Sequence, residues 1–173
     1  TVSKESVEFV RNLLFKKRPK SAMLMSHDPK ARHDSMRDFR NLLANARTPH
    51  TAQAVIQAGL VPRFVELLQI DNNPSLHFEA GWALTNIMAF TTEQTKVVID
   101  EGAIPIFCRL LASDNDDVRE QAVHALGNIA GSGDLTHRNQ VLEEGAMMPL
   151  LQLLNGHLKL SMLRTRTWAL SNF

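Results

Sequence analysis

Three stretches of this chain superimpose at a fixed step of 43 residues, and that step restricts the fold more than any other feature. IQAGLVPRFVELL runs from Ile56 to Leu68, IDEGAIPIFCRLL from Ile99 to Leu111, and LEEGAMMPLLQLL from Leu142 to Leu154. Gly59, Gly102 and Gly145 hold the step, and so do Leu67, Leu110 and Leu153. A period in the forties marks a helical solenoid, in which each unit buries its apolar side against its neighbours. Each period carries a second block: GWALTNI (Gly81 to Ile87), VHALGNI (Val123 to Ile129) and TWALSNF (Thr167 to Phe173). The glycine-to-asparagine distance is 27, 26 and 27 residues, and the one-residue slip falls in a loop, where a solenoid absorbs it.

Local signals divide each unit into a short helix, a second helix and a longer third one. Gly59, Gly102 and Gly145 suit the left-handed residue that ends a helix. Pro62 and Pro105 stand where the next helix begins and a missing N–H does no harm. Val61, Phe64, Val65 and Leu68 recur at helical spacing. Asn73-Pro74-Ser75 and Asp114-Asn115-Asp116 are loop-and-cap sequences before the third helices. The fold class is therefore all-α. Unit bounds fall near 1–47, 48–91, 92–134 and 135–173. The first unit is less regular: Val7, Val10, Leu13 and Leu14 suit a second helix, and Asp28-Pro29 caps a third that runs to about Ala46. Met36, Phe39, Leu42 and Leu43 point inward on it. The stretch between, Lys16 to Ser26, reads as a long, mobile loop. The chain starts at Thr1 and stops at Phe173 inside a predicted helix, as expected of a piece of a longer array.

At 44% hydrophobic residues, the chain can bury a core. The single Cys108 allows no disulfide within the chain, which suits a reducing compartment. No apolar run approaches the ~20 residues of a membrane span. Charge is uneven. Residues 1–50 hold 11 Lys and Arg against 5 acids, and the rest hold 8 against 13. An acidic repeat body behind a basic head does not suit a nucleic-acid binder. It suits a surface that attracts cations.

Trp82 and Asn86 lie four apart and share one face of a third helix. His124 with Asn128, and Trp168 with Asn172, repeat the pair, so stacked units bring three ring–amide pairs into a row. Asparagine offers a donor and an acceptor to the backbone of an extended peptide. Spaced indole faces form slots for the stem and charged head of Lys or Arg. Such a row reads basic peptides and performs no chemistry.

FEAGWALTNI, EQTKVVIDEGAIP, LLASDNDDVREQAVHALGNIAG and RTRTWALSNF closely resemble the armadillo-repeat family of importin-α, the nuclear-import adaptors. The resemblance covers nearly the whole chain, most strongly Ala54 to Phe173. It implies a right-handed superhelical armadillo solenoid spanning the first repeat to most of the fourth. It also implies the major site for nuclear localisation signals, formed here by Trp82, Asn86, Thr95, Gln121, Asn128, Trp168 and Asn172, with His124 at the middle ring position. It implies importin-β as a partner of the full-length protein, and residence in cytoplasm and nucleus. Four positions depart from the family pattern. His124 stands for a tryptophan, Ser132 for the aspartate that holds the key lysine, Phe90 for a groove-lining glycine, and Thr165 for an asparagine. Asp134 lies two residues beyond Ser132 and is a candidate substitute. The reading is an import adaptor with a modified site and altered affinity.

Rival readings are weaker. A catenin-like scaffold has a basic groove for acidic partners, whereas the third helices of the two middle units carry Trp, Asn and Glu79, with Arg119 the one basic residue. KRPK (Lys17 to Lys20) matches a short localisation pattern, but a solvated helix end explains it as well. His27, His33, His50, His77, His137 and His157 show no paired ligand spacing, so no metal site is implied. Gly131-Ser132-Gly133-Asp134 follows no strand and reads as a loop, not a nucleophile elbow. Cys108 reads as a buried structural thiol. No enzyme constellation and no cofactor emerge. Apolar ends such as Leu170 and Phe173 predict some self-association of the piece.

Overall fold

The computed structural model describes residues 20–46, 48–70, 72–155 and 160–173. Among these every regular element is an α-helix. They are α1 (Lys20–Leu24), α2 (Pro29–Ala46), α3 (Pro49–Gln57), α4 (Val61–Leu67), α5 (Pro74–Ile87), α6 (Thr92–Asp100), α7 (Ala103–Leu110), α8 (Asp116–Ala130), α9 (Leu135–Glu143), α10 (Met147–Gln152) and α11 (Leu160–Ser171). The triplets α3-α4-α5, α6-α7-α8 and α9-α10-α11 repeat the same order. The long third helices α2, α5, α8 and α11 pack side by side in sequence, so they form one continuous layer.

The caps explain the punctuation. Gly59, Gly102 and Gly145 have φ of +67°, +76° and +77°, which L side chains rarely adopt. This left-handed turn lets Leu60 N–H reach Val55 O (3.4 Å) and Ala146 N–H reach Val141 O (3.4 Å), closing the six-residue helix ending. Asn73 Oδ1 accepts from the Ser75 and Leu76 amides at 3.1 and 3.2 Å, and Asn115 Oδ1 accepts from Val118 at 3.1 Å. Each cap satisfies amides that the first turn of α5 or α8 leaves unpaired.

The core is continuous from α1 to α11. Met36, Phe39, Leu42 and Leu43 are buried as their spacing predicts, and Phe39 meets Phe64 with ring centroids 5.6 Å apart. Truncating a fully buried phenylalanine costs about 3–5 kcal/mol, so this aromatic pair is a main tie between α2 and α4. Polar ties join successive units too. Gln94 Nε2 donates to Pro49 O at 2.7 Å, and Arg109 Nη2 donates to Gln69 Oε1 at 2.7 Å.

One stretch differs from the loop predicted for Lys16 to Ser26. Residues 20–24 are helical, Leu24 is fully buried, and Arg63 donates twice to Leu24 O, at 2.9 and 2.7 Å. Burial of Leu24 and the two charge-assisted bonds hold this turn against the second unit. The predicted helix through Val7, Val10, Leu13 and Leu14 lies outside the described residues, as does nearly all of KRPK.

Candidate peptide-binding face

The ladder residues come from the successive third helices. Asn86 donates to Trp82 O of its own helix at 2.9 Å. Asn128 donates to Thr85 O of the preceding third helix at 3.1 Å, and Asn172 donates to Gly127 O at 2.9 Å. Asparagine was expected to spend its amide on a peptide. One N–H of each is instead committed within the protein, and in the last two it sets the register between units. Each still has a side-chain carbonyl and a second N–H.

Glycines make this close stacking possible. A Cβ on Gly127 would lie 2.7 Å from Trp168 Cζ3 and 3.0 Å from Ala169 Cβ. A Cβ on Gly131 would lie 2.8 Å from Asn172 Nδ2. Gly81 is less confined, 3.1 Å from Gln121 Cβ. The glycines of ALGNIAG thus seat the indole and amide of the next unit, a role their own helix does not reveal.

The rings have unequal surroundings. Trp82 is half-buried. Phe78 meets it edge-on at 5.4 Å, and the Arg40 guanidinium lies 4.4 Å from its ring centre. Arg40 is held there by Glu79, with Nε–Oε2 at 2.6 Å and Nη2–Oε1 at 3.2 Å. His124 is exposed, and its ring meets Trp168 edge-on at 5.3 Å. Although part of it reaches solvent, the imidazole is partly withdrawn from water, and this desolvation lowers the His124 pKa from its usual 6.5. Trp168 remains 39% exposed. Farther along, Arg166 pairs with Glu120, with Nη2–Oε1 at 2.6 Å, a second ion pair between third helices.

An open cleft of about 430 Å³ lies between α6, α8 and α11. Thr95, Asn128, Trp168, Asn172, Phe90 and Ser132 all line it. Thr95 is fully buried, and its hydroxyl donates toward Met88 O and Thr91 O at 3.2 and 3.1 Å, so it forms wall and not contact surface. Gln121 Oε1 is buried and lacks a hydrogen-bond partner. Ser132 Oγ lies 2.9 Å from His137 Nδ1. Asp134 does not line the cleft. It caps α9, accepting from Thr136 N at 2.8 Å and Thr136 Oγ1 at 2.7 Å, and these bonds depress its pKa. The candidate substitute for the missing aspartate is thus spent as a cap. Thr165 Oγ1 donates back to Ser161 O of its own helix at 3.2 Å.

One participant was not picked out from sequence: Arg40, which Glu79 holds in place. The signal was present. Arg40 precedes Trp82 by 42 residues, the same step that separates Trp82 from His124, so it occupies the ring register of the first unit.

The armadillo/beta-catenin-like repeat family matches residues 48–89 and 91–131. Importin subunit alpha-2 of Arabidopsis thaliana is 56% identical over 148 residues, 86% of this chain. Importin subunit alpha-1a of Oryza sativa subsp. japonica is 55% identical over the same share. The chain belongs to the importin-α family. It spans only 27% and 28% of the length of those two relatives. A designed armadillo repeat protein in complex with the peptide (KR)4 has the same fold, with a TM-score of 0.81 and 27% identity over 95% of this chain and 68% of that one. An engineered protein matches at a TM-score of 0.79 and 32% identity, over 88% and 61%. The repeats of this importin-α chain are therefore armadillo repeats in an all-helical solenoid.

Proposed function

We propose that this chain is the part of a nuclear-import adaptor that binds basic localisation-signal peptides along the ring–amide row of Trp82, Asn86, His124, Asn128, Trp168 and Asn172. The carrying observation is the row itself. Two of its amides, those of Asn128 and Asn172, are fixed by bonds to the preceding third helix, and an exposed indole opens onto an adjoining cleft. Thr95 and Gln121 support the row from behind. The full-length protein would join such cargo to importin-β and move between cytoplasm and nucleus. The designed armadillo protein bound to (KR)4 lends weight to a basic ligand.

The departures predict modified affinity. His124 offers a smaller ring than indole, and Ser132 brings no charge to the cleft. A cation–π contact is worth roughly 0.5–2 kcal/mol, so affinity for a simple lysine signal should be several-fold to tens-fold below that of a complete ladder. Titration with a labelled lysine-rich peptide and an acidic peptide of equal length tests the reading. Preference for the lysine peptide supports it. Preference for the acidic peptide would favour a catenin-like scaffold instead.

A further inference from the structure

The cleft beside Trp168 has an unusual balance of charge and aromatic surface. Of its lining residues, among those described, only Glu93 is charged, and it is exposed at the start of α6. Its carboxylate is kept ionised: the amide bond to it comes first and the Thr91 hydroxyl second, and together they lower its pKa. The hydroxyls are already engaged. Thr92 Oγ1 donates to Ser132 O at 2.5 Å, Thr95 bonds to backbone carbonyls, and Ser132 Oγ meets His137. Two large apolar side chains, Phe90 and Trp168, line the same space and are 38% and 39% exposed.

A lysine ammonium is compact and strongly hydrated, and it needs close anionic or carbonyl partners in place of its water. This cleft offers one carboxylate at its rim. A guanidinium is planar and weakly hydrated, and it stacks on aromatic faces while its N–H groups reach acceptors at the edges. Asn128 and Asn172 each have a side-chain carbonyl to serve as acceptor, and Glu93 balances the charge.

We propose that the Phe90–Trp168 cleft selects arginine over lysine in the bound peptide. The proposal rests on the basic-peptide reading above and adds a specificity residue, Phe90, with Ser132 acting by its lack of charge. Binding of fluorescein-labelled octa-arginine and octa-lysine to the whole chain, at one salt concentration, tests it. Octa-arginine binds any acidic aromatic surface somewhat better, so the informative quantity is how the affinity ratio changes between variants. The wild-type ratio should favour arginine, and Phe90→Ala should reduce that ratio roughly 3- to 10-fold. Ser132→Asp should tighten octa-lysine more than octa-arginine. Both positions are at least partly exposed, and circular dichroism confirms that the variants fold. If the ratio is unchanged in both variants, or lysine wins in the wild type, the selectivity proposal fails and the basic-peptide reading survives. If neither peptide binds, both fail.

Discussion

Trp82 and Trp168 hold the same register in their units, yet their faces meet different neighbours. At Trp82 the chain supplies its own cation. Arg40 lies over the indole and is clamped by Glu79. At Trp168 the neighbour is His124, whose ring stands nearly perpendicular to the indole, and the indole opens onto the cleft. The repeat therefore fixes where a ring stands, while the residue one unit earlier decides whether that ring is available. On the proposed reading a peptide cation would meet a competitor at the first ring and, among the described residues, none at the last.

The largest way to disturb the contrast is to unclamp Arg40. Glu79 is 7% exposed at its side chain and Arg40 17%, so Glu79→Ala leaves a nearly buried cation unpaired. A loss of about 3 kcal/mol is expected in urea unfolding, near the low end for broken buried pairs because Arg40 can turn toward water. A loss under about 1 kcal/mol would show that the pair behaves as a surface contact.

Next comes the support of the open ring. Gly127→Ala places a methyl 2.7 Å from Trp168 Cζ3 and 3.1 Å from Ala169 Cα, so helix or indole must move. Overpacking of this kind costs about 1–3 kcal/mol, and tryptophan fluorescence should shift with it. Gly81→Ala, whose tightest neighbour is the Gln121 side chain at 3.1 Å with Leu68 Cδ2 at 3.8 Å, should cost less. The reverse order would mean that the close stacking at Trp168 is not a constraint.

Arg40→Ala should make the two ends more alike. It bares the face of Trp82 and leaves Glu79 beside it without its cation. Affinity for a lysine-rich peptide should rise roughly threefold, within the range of one cation–π contact. Unchanged affinity would indicate that the peptide does not reach Trp82.

The smallest effect is the response to pH. Folding lowers the pKa of His124 by desolvation, and of His77 by desolvation offset in part by its bond to Ile70 O. The unfolded chain therefore takes up protons first as pH falls through about 6.5, and stability falls with it. Above about pH 7 both forms are neutral and stability is level with respect to these groups. The His124 imidazolium, which on the proposed reading would repel a basic peptide, forms only below the usual 6.5. The thermal midpoint should drop between pH 7.5 and 5.5, and His124→Phe should reduce the drop slightly.

Much of this could be read from the sequence because solenoid signals are local and repeated. Gly59, Gly102 and Gly145 announced their left-handed turns, Asn73 and Asn115 their caps, and Met36 and Phe39 their burial. What escaped depends on neighbours distant in the chain. Nothing near Asn128 shows that its amide bonds to Thr85 O, and nothing near Gly127 shows that an indole 41 residues later rests on it. Arg40 was not picked out because its unit lacks the glycine marker that sets the register elsewhere. Leu24 was placed in a loop since its burial comes from packing of α1 on α2 that no local pattern shows. Asp134 offered the right charge near the right place, but a cap two residues ahead of Thr136 claimed it.

The central claim is that a basic peptide draws more from the open ring than from the occupied one. Affinity of one lysine- and arginine-rich peptide for Trp82→Ala and Trp168→Ala, measured by anisotropy under identical salt, tests it directly. Trp168→Ala should weaken binding by roughly tenfold, and Trp82→Ala by less than about threefold, since the latter ring already serves Arg40. Equal losses, or a larger loss at Trp82, would contradict the account.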